Sequence, residues 1–264
     1  MAHILILGGA GYVGSHCAKA VTAAGHEGVV FDNLSMGHRA FAKWGPLIEG
    51  DIRDRVALDR VFAAHHIDAV MHFAALAYVG ESVATPAKYY DVNVNGTRVV
   101  LEAMLRAGVR RIVFSSSCAI YGQPDHLPIA ESARLDPINP YGFTKLACER
   151  MMVDFGRTYG LQSARLRYFN AAGADPAGEI GEDHDPEPHL IPLARPRADF
   201  LASQLAAAGS SEQGWQFFQF AACASMVLKL TIPAARSISV VCTVAISCWP
   251  SVLRTMSRPL ATGA

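Results

Sequence analysis

The stretch that decides the fold is Ile4-Leu5-Ile6-Leu7-Gly8-Gly9-Ala10-Gly11-Tyr12-Val13-Gly14, near the start of the 264-residue chain. Four consecutive apolar residues predict a strand that is buried on both faces, as in a parallel sheet. The glycines behind them fit both Gly9-x-Gly11-x-x-Gly14 and Gly8-x-x-Gly11-x-x-Gly14, and a helical pattern follows. A strand that runs through such a loop into a helix is typical of a dinucleotide-binding fold.

The same alternation continues along the first 194 residues. Apolar runs predict strands at 4–7, 29–31, 68–73, 111–115 and 164–168. Helices are predicted near 12–24, 54–65, 86–107 and 144–159. Strands that alternate with helices of this length form βαβ units. The sequence therefore predicts an α/β fold with a doubly wound, Rossmann-like parallel sheet.

Residues 195–264 have a different composition from the rest. They contain six basic and two acidic residues, whereas residues 1–194 contain 17 basic and 21 acidic ones, so the two parts carry net charges of +4 and −4. All ten histidines and all eight tyrosines precede residue 195. We therefore expect a domain at 1–194, which contains the glycine loop and the predicted strands and helices, and an atypical tail at 195–264.

Composition excludes several classes of protein. With 51% hydrophobic and 17% charged residues the chain is not intrinsically disordered. The net charge is zero, so the chain lacks the positive field that is typical of nucleic-acid-binding proteins. The six cysteines include no C-x-x-C pair, which predicts reduced thiols rather than disulfides. The uncharged stretch 237–253 contains Pro250 and several hydroxyl residues, so we expect no membrane span. No secretory signal is evident, which favours a cytoplasmic protein. His65-His66 has no evident third ligand, so we expect no metal site there.

The glycine loop predicts how NAD would bind. Gly8, Gly11 and Gly14 lack the Cβ that would keep the backbone from a pyrophosphate, and the first helical residues, Tyr12 and Val13, offer free N–H groups. Asp32 ends the second strand, where a carboxylate accepts hydrogen bonds from a ribose 2′-hydroxyl and repels a 2′-phosphate. NAD is therefore favoured over NADP. Two further loops are expected at the same sheet edge, where ligands bind in such folds: Asp51-Ile52 and Phe73-Ala74-Ala75.

Three side chains predict acid–base chemistry. Ser117 follows the strand at 111–115, and Tyr141 and Lys145 are four residues apart at the start of a helix, so they share one face. An ammonium beside a phenol lowers the pKa of the phenol, and a positively charged nicotinamide would lower it further. We expect Tyr141 to act as a base, with Ser117 orienting the same substrate hydroxyl.

The sequence resembles the extended short-chain dehydrogenase/reductase family, and within it the epimerases that act at carbon 4 of UDP-hexoses. The resemblance covers residues 1–194 almost continuously. The matching motifs are GGAGYVG (8–14), DNL (32–34), EGDI (49–52), HFAALAYVGES (72–82), YYDVNVNGT (89–97), FSSSCAIYG (114–122), PYGFTK (140–145), LRYFNAAG (166–173) and HLIP (189–192).

This resemblance implies a reaction and further contacts. Tyr141 would act as base and acid, and Lys145 would be its electrostatic partner and a ribose ligand. Ser117 would bind the substrate. In the implied reaction the sugar 4′-hydroxyl would lose a proton while C4′ passes a hydride to tightly held NAD⁺. Phe169 would pack near the nicotinamide. Other implied cofactor contacts are Asn33, Asn93 and Ser115, and other implied contacts to the UDP-sugar are Asn170, His189 and Leu190. The helices near 86–107 and 144–159 would pair two subunits.

The tail departs from the family, whose smaller substrate-binding domain is not recognisable after residue 194. We hypothesise a translational frame change near Ala194, with a genuine replacement tail as the alternative, and expect weak or no epimerase activity. Two other functions stay open: an extended reductase or epimerase for another nucleotide sugar, and an inactive NAD-binding remnant. A dehydratase is disfavoured because Cys118-Ala119 after Ser117 cannot supply the acid and base that water elimination needs.

Overall fold

The computed structural model describes residues 1–184 and the backbone of the strand 237–242. Seven strands of the described residues form one parallel sheet in the order β3-β2-β1-β4-β5-β6-β7. The strands are β1 (His3–Leu7), β2 (Glu27–Asp32), β3 (Leu47–Glu49), β4 (Ala69–His72), β5 (Arg111–Ser115), β6 (Gln162–Tyr168) and β7 (Ser237–Cys242). The predicted doubly wound parallel sheet is confirmed.

Six α-helices connect the strands of the described part of the chain. They are α1 (Tyr12–Ala23), α2 (Arg55–Ala64), α3 (Val79–Ala84), α4 (Pro86–Tyr89), α5 (Gly96–Arg106) and α6 (Pro140–Tyr159). A π-helical turn at Tyr90–Asn95 joins α4 to α5, and short 3₁₀ turns lie at Arg39–Phe41 and Cys118–Tyr121. None of the described helices is long and apolar enough to cross a membrane.

The core lies on both faces of the sheet. Leu5, Leu7 and Phe31 pack on one face with buried residues of α2, α5 and α6. Ile6 and Val30 pack on the other face with buried residues of α1. Because successive strand residues point to opposite faces, a continuous apolar run is what a sheet covered on both sides requires.

Several elements differ from the sequence prediction, among them α3, which no predicted helix covers. The helix expected at 86–107 is divided by the π turn, and β3 was not predicted because three partly exposed residues carry no periodic pattern. β7 lies inside the stretch expected to be an atypical tail, and it pairs with β6 in six registered positions from Ser163↔Ser237 to Tyr168↔Cys242. The division at residue 194 itself stays a prediction.

The strand order creates a crevice at one edge of the sheet. From β1 the chain passes outward to β2 and β3, then returns to the other side of β1 to form β4. Leu7, Asp32, His72 and Ser115 are the last residues of their strands and lie at this same carboxyl edge. In doubly wound sheets the ligand crevice lies where the strand order reverses, which here is at the glycine loop after β1.

Candidate active site

In the glycine loop, Gly8 and Gly14 pack closely against neighbouring backbone atoms, whereas Gly11 has open space beside its Cα atom. A Cβ on Gly8, whose φ is +77°, would lie 2.5 Å from the Ala74 nitrogen, and one on Gly14 would lie 2.1 Å from the Gly8 oxygen. A Cβ on Gly11 would meet only the Gly8 oxygen, at 3.4 Å. Gly11 is also the N-cap of α1, and no described side chain caps that helix end. The open cradle and the uncapped N–H groups, which include those of Tyr12 and Val13, fit a pyrophosphate.

Asp32 ties the second strand end to this loop. Its carboxylate is buried and accepts hydrogen bonds from the Ala10 nitrogen at 3.0 Å and the Leu34 nitrogen at 2.9 Å. Burial raises the pKa of Asp32, and the two backbone donors oppose that rise. Each carboxylate oxygen keeps a second lone pair, so this side chain can still accept from a ribose hydroxyl.

The loop after β3 is held by charged groups. The Arg53 guanidinium donates to both oxygens of Asp51, at 2.9 and 2.7 Å, and lowers the pKa of Asp51 to about 2. Asn33 donates to the same carboxylate at 3.1 Å. Ile52 is buried close to Gly96, where a Cβ would lie 2.6 Å from its Cδ1. Asp51 is therefore anchored by the protein, and its expected contact near the adenine stays a prediction.

The loop after β4 closes against the glycine loop. The nitrogens of Phe73 and Ala74 donate to the Leu7 oxygen at 2.8 and 3.0 Å, and Ala75 lies next to them, partly buried. The amide of Asn93 binds both backbone groups of Leu76, at 2.8 and 3.0 Å, and donates to the Thr144 hydroxyl at 3.1 Å. Asn93 thus fastens the loop to α6. The resemblance implied a direct cofactor contact for this residue, which stays a prediction.

Ser117, Tyr141 and Lys145 converge as the sequence predicted. The Ser117 side chain accepts a hydrogen bond from the Ala119 nitrogen at 3.1 Å and lies close enough to the Tyr141 phenol to lower its pKa. The Lys145 ammonium lies 5.8 Å from the centroid of the Tyr141 ring and donates to the Ser115 oxygen at 2.8 Å. The Asn139 side chain caps α6 by accepting from the Gly142 nitrogen at 2.8 Å. This cap fixes the first turn, which carries Tyr141.

The electrostatics of the tyrosine differ from the prediction. Burial raises the pKa of Tyr141 to about 12, and the nearby Ser117 side chain opposes that rise only in part. Burial also lowers the pKa of Lys145 to about 8. The expected lowering of the phenol pKa by Lys145 is therefore wrong for the protein alone, because desolvation outweighs an ammonium several ångströms away.

Sequence reasoning missed a buried charged cluster behind Ser117. Glu149 accepts a hydrogen bond from the Ser116 hydroxyl at 2.5 Å and pairs with Arg167, which also donates to the Tyr121 hydroxyl at 2.7 Å. Glu149 and Arg167 are 3% and 6% exposed. Buried charges are tolerated only when they are paired, so this cluster fixes the segment on both sides of Ser117. Two arginines inside the apolar strand pattern of β6 were the available signal.

The other predicted positions divide into two groups. Phe169 and Asn170 follow β6 at the carboxyl edge and are exposed, and Ser115 shares a hydrogen bond with the Tyr168 hydroxyl. His189 and Leu190 lie outside the described residues.

A cavity of about 520 Å³ lies at the opposite edge of the sheet from the predicted site residues, and it is lined by residues such as Ile67, Val109 and Gln162. The described residues include no cluster of three or more potential metal ligands.

Comparison with known proteins gives the family. The profile of the NAD dependent epimerase/dehydratase family matches residues 4–218. UDP-glucose 4-epimerase of Rhizobium meliloti is 57% identical over 192 residues, which are 73% of this chain and 58% of that protein. The corresponding enzyme of Rhizobium leguminosarum is 53% identical over 191 residues.

Solved structures agree with this assignment. The Brucella ovis UDP-glucose 4-epimerase in complex with NAD is 52% identical with a TM-score of 0.73, over 74% of this chain and 60% of that one. The Stenotrophomonas maltophila enzyme, solved with NAD and formylated UDP-arabinopyranose, is 39% identical with a TM-score of 0.73, over 76% and 63%. The chain thus spans about 60% of the length of these relatives. It belongs to the NAD dependent epimerase/dehydratase family.

Proposed function

We propose that the chain binds NAD and carries the acid–base groups of a UDP-glucose 4-epimerase, which interconverts UDP-glucose and UDP-galactose. The observation that carries the proposal is that Ser117, Tyr141 and Lys145 meet at the carboxyl edge of the sheet that also holds the open glycine cradle, with the Lys145 ammonium 5.8 Å from the Tyr141 ring centroid. The names of the relatives support this substrate.

NAD would lie along the sheet edge. The cradle at Gly11 and the N–H groups of Tyr12 and Val13 would take the pyrophosphate, and Asp32 a ribose hydroxyl. Asn33, Asp51 and Ile52 would lie near the adenine. Toward the nicotinamide we place Phe73, Ala74, Ala75, Asn93, Ser115, Lys145 and Phe169.

The side chains of this chain would then move a proton. The chemistry that bound NAD would supply is a reversible transfer of hydride from C4′, which allows the hydride to be restored on the opposite face of the sugar. Tyr141 takes the proton of the 4′-hydroxyl, which Ser117 orients. Because the pKa of Tyr141 is about 12 without ligands, the phenol needs nearby positive charge to serve as a base at neutral pH. Lys145, with a pKa of about 8, supplies one such charge below that pH.

Activity of this chain is expected to be weak. Asn170, His189 and Leu190 would contact the UDP-sugar, but the match to the Rhizobium meliloti enzyme extends over 192 residues, 58% of that enzyme, which supports the proposed frame change or replacement tail. Poorer positioning of the nucleotide lowers both substrate affinity and turnover.

Two alternative functions remain: an enzyme that acts on another nucleotide sugar, and an NAD-binding remnant. We place the protein in the cytoplasm.

A homodimer through the helices at 86–106 and 140–159 is part of the proposal. Tyr90 and Phe143 are 42% and 47% exposed, and their ring centroids are 6.1 Å apart, which supports an apolar contact surface.

The test uses NAD-loaded protein and UDP-glucose. We expect growth of the NADH absorbance band in the wild type and none in Tyr141→Phe, with equal NAD content. Tyr159→Phe, an exposed tyrosine at the far end of α6, is the matched control and should behave as the wild type. NAD binding without a response to several nucleotide sugars would establish the remnant instead. Interconversion of the two UDP-sugars at an ordinary enzyme rate would contradict the expected impairment.

A further inference from the structure

We propose that Lys19 is a positioning residue for the cofactor: it fastens the segment Gly173–His184 beside the glycine loop and so slows the loss of NAD. We call this segment the strap. The inference rests on the proposed NAD site and adds the contact that keeps the site closed.

Lys19 makes the main polar contacts between α1 and the strap. Its ammonium lies 2.8 Å from each carboxylate oxygen of Asp175 and also pairs with Glu179. The Lys43 ammonium donates to the Glu179 oxygen at 2.9 Å. Lys19 also lies 5.3 Å from the centroid of the Trp44 ring. The contacts of Lys19 and Lys43 with the strap join residues that are 136 to 160 positions apart in the chain.

The ends of the strap contact the residues that surround the cradle. The Tyr12 hydroxyl, in the first turn of α1, donates to the Gly173 oxygen. The His184 ring lies 6.2 Å from the Tyr12 ring and 6.3 Å from the Tyr78 ring. His38, whose nitrogen donates to the Ala10 oxygen, has its Nε2 3.0 Å from the Asp183 oxygen. Both ends of the strap therefore contact side chains that border the glycine loop, Tyr12 and His38.

Few apolar contacts hold the strap in place. Among its residues Ile180 is the buried apolar side chain, at 4% exposure, while most of the others are exposed. Its internal hydrogen bonds form a turn, from Asp175 to the Ile180 oxygen and from Gly178 to the Asp175 oxygen. Segments with little buried apolar area open locally at low cost. The ion pairs of Lys19 should therefore govern how often this segment opens.

Charge gives Lys19 a second effect. The strap carries four carboxylates, and the pyrophosphate at the glycine loop would be an anion. Lys19 compensates two of them, Asp175 and Glu179. Without the ammonium these two carboxylates would repel each other and the cofactor. The repulsion would favour both the opening of the strap and the dissociation of NAD.

The experiment measures release of radiolabelled NAD⁺ from the preloaded, full chain after dilution into excess unlabelled NAD⁺. Lys19→Met should release the label faster, by up to about fivefold, in keeping with the modest strength of partly exposed ion pairs. Asp175→Asn should also be faster. Lys19→Arg keeps the charge and should stay near the wild-type rate. High salt should bring the wild type toward Lys19→Met.

Arg106→Met is the matched control, because it removes an ion pair of α5 with Asp59 of α2, remote from the strap. It should release NAD⁺ at the wild-type rate. An unchanged rate in Lys19→Met, in protein that is folded by circular dichroism, would overturn this inference alone. A wild type that binds no NAD would overturn the proposed function and the inference with it.

Discussion

At the scale of single residues, burial decides the charge of the side chains around the proposed base. His72 ends β4, is 1% exposed, and its Nε2 is paired with the Thr97 hydroxyl at 3.0 Å. Burial, and secondarily the charge of Lys145, lowers the pKa of His72 to about 3. The sequence showed that Tyr141 and Lys145 share a helix face, but burial at their site depends on the packing of the whole sheet edge. For that reason the direction of the tyrosine shift could not be read from spacing.

His72 should make the protein sensitive to acid. Its pKa falls from 6.5 in the unfolded chain to about 3 in the folded one, so the unfolded chain binds the extra proton between these values. The stability contributed by neutral His72 is complete above pH 6.5 and is lost as the pH falls toward 3. From pH 6.5 to 5 this amounts to about 2 kcal/mol of unfolding free energy. Urea unfolding of His72→Gln should show a correspondingly flatter pH dependence than the wild type.

The exposed His66 gives the control for this measurement. His66→Gln changes a side chain that is 77% exposed and should keep the wild-type slope. Equal slopes in His72→Gln and the wild type would show that the protonation of His72 does not limit stability.

At the scale of elements, helix ends and strand ends carry the site. The alternation of apolar runs and helical patterns predicted β1, β2, β4, β5 and β6, since each is buried on both faces. The division of residues 86–106 by a π turn was not predictable, because it accompanies the side-chain bonds that Asn93 makes to Leu76 and Thr144 across the fold. The Glu149–Arg167 pair was missed for the same reason: its partners meet only after the sheet forms.

The cap of α6 should matter for function as well as for stability. Asn139→Ala removes the acceptor for the Gly142 nitrogen and should cost about 1 kcal/mol of unfolding free energy. Because Tyr141 lies two residues behind the cap, the UDP-sugar-dependent growth of the NADH band should also slow. Asp54→Ala removes the cap of α2, where Asp54 accepts from the Val56 and Ala57 nitrogens. Its stability should fall similarly with no change in that signal, and equal losses of signal would refute the positional role of Asn139.

At the scale of the whole molecule, the described residues assemble one sheet whose carboxyl edge holds every part of the proposed site that the structure places. The contribution of β7 was not foreseen, because the composition of residues 195–264 suggested only a departure from the preceding chain. Its six-residue pairing with β6 is a feature of the backbone, which composition does not report. The coding sequence around codon 194 would decide the frame-change hypothesis: a shifted frame that encodes a substrate-binding domain supports it, and the absence of one refutes it.

The central claim is that the cradle at Gly11 binds the pyrophosphate of NAD. A Cβ fits at Gly11 without a severe clash, so Gly11→Ala should fold while filling the space that the cofactor needs. Gly80→Ala is the control, because a Cβ there has no neighbour within 4 Å. Equilibrium dialysis should show about one NAD per chain for the wild type and Gly80→Ala, and at least roughly tenfold weaker binding for Gly11→Ala. A folded wild type that binds no NAD, or Gly11→Ala that binds it equally well, would contradict the account.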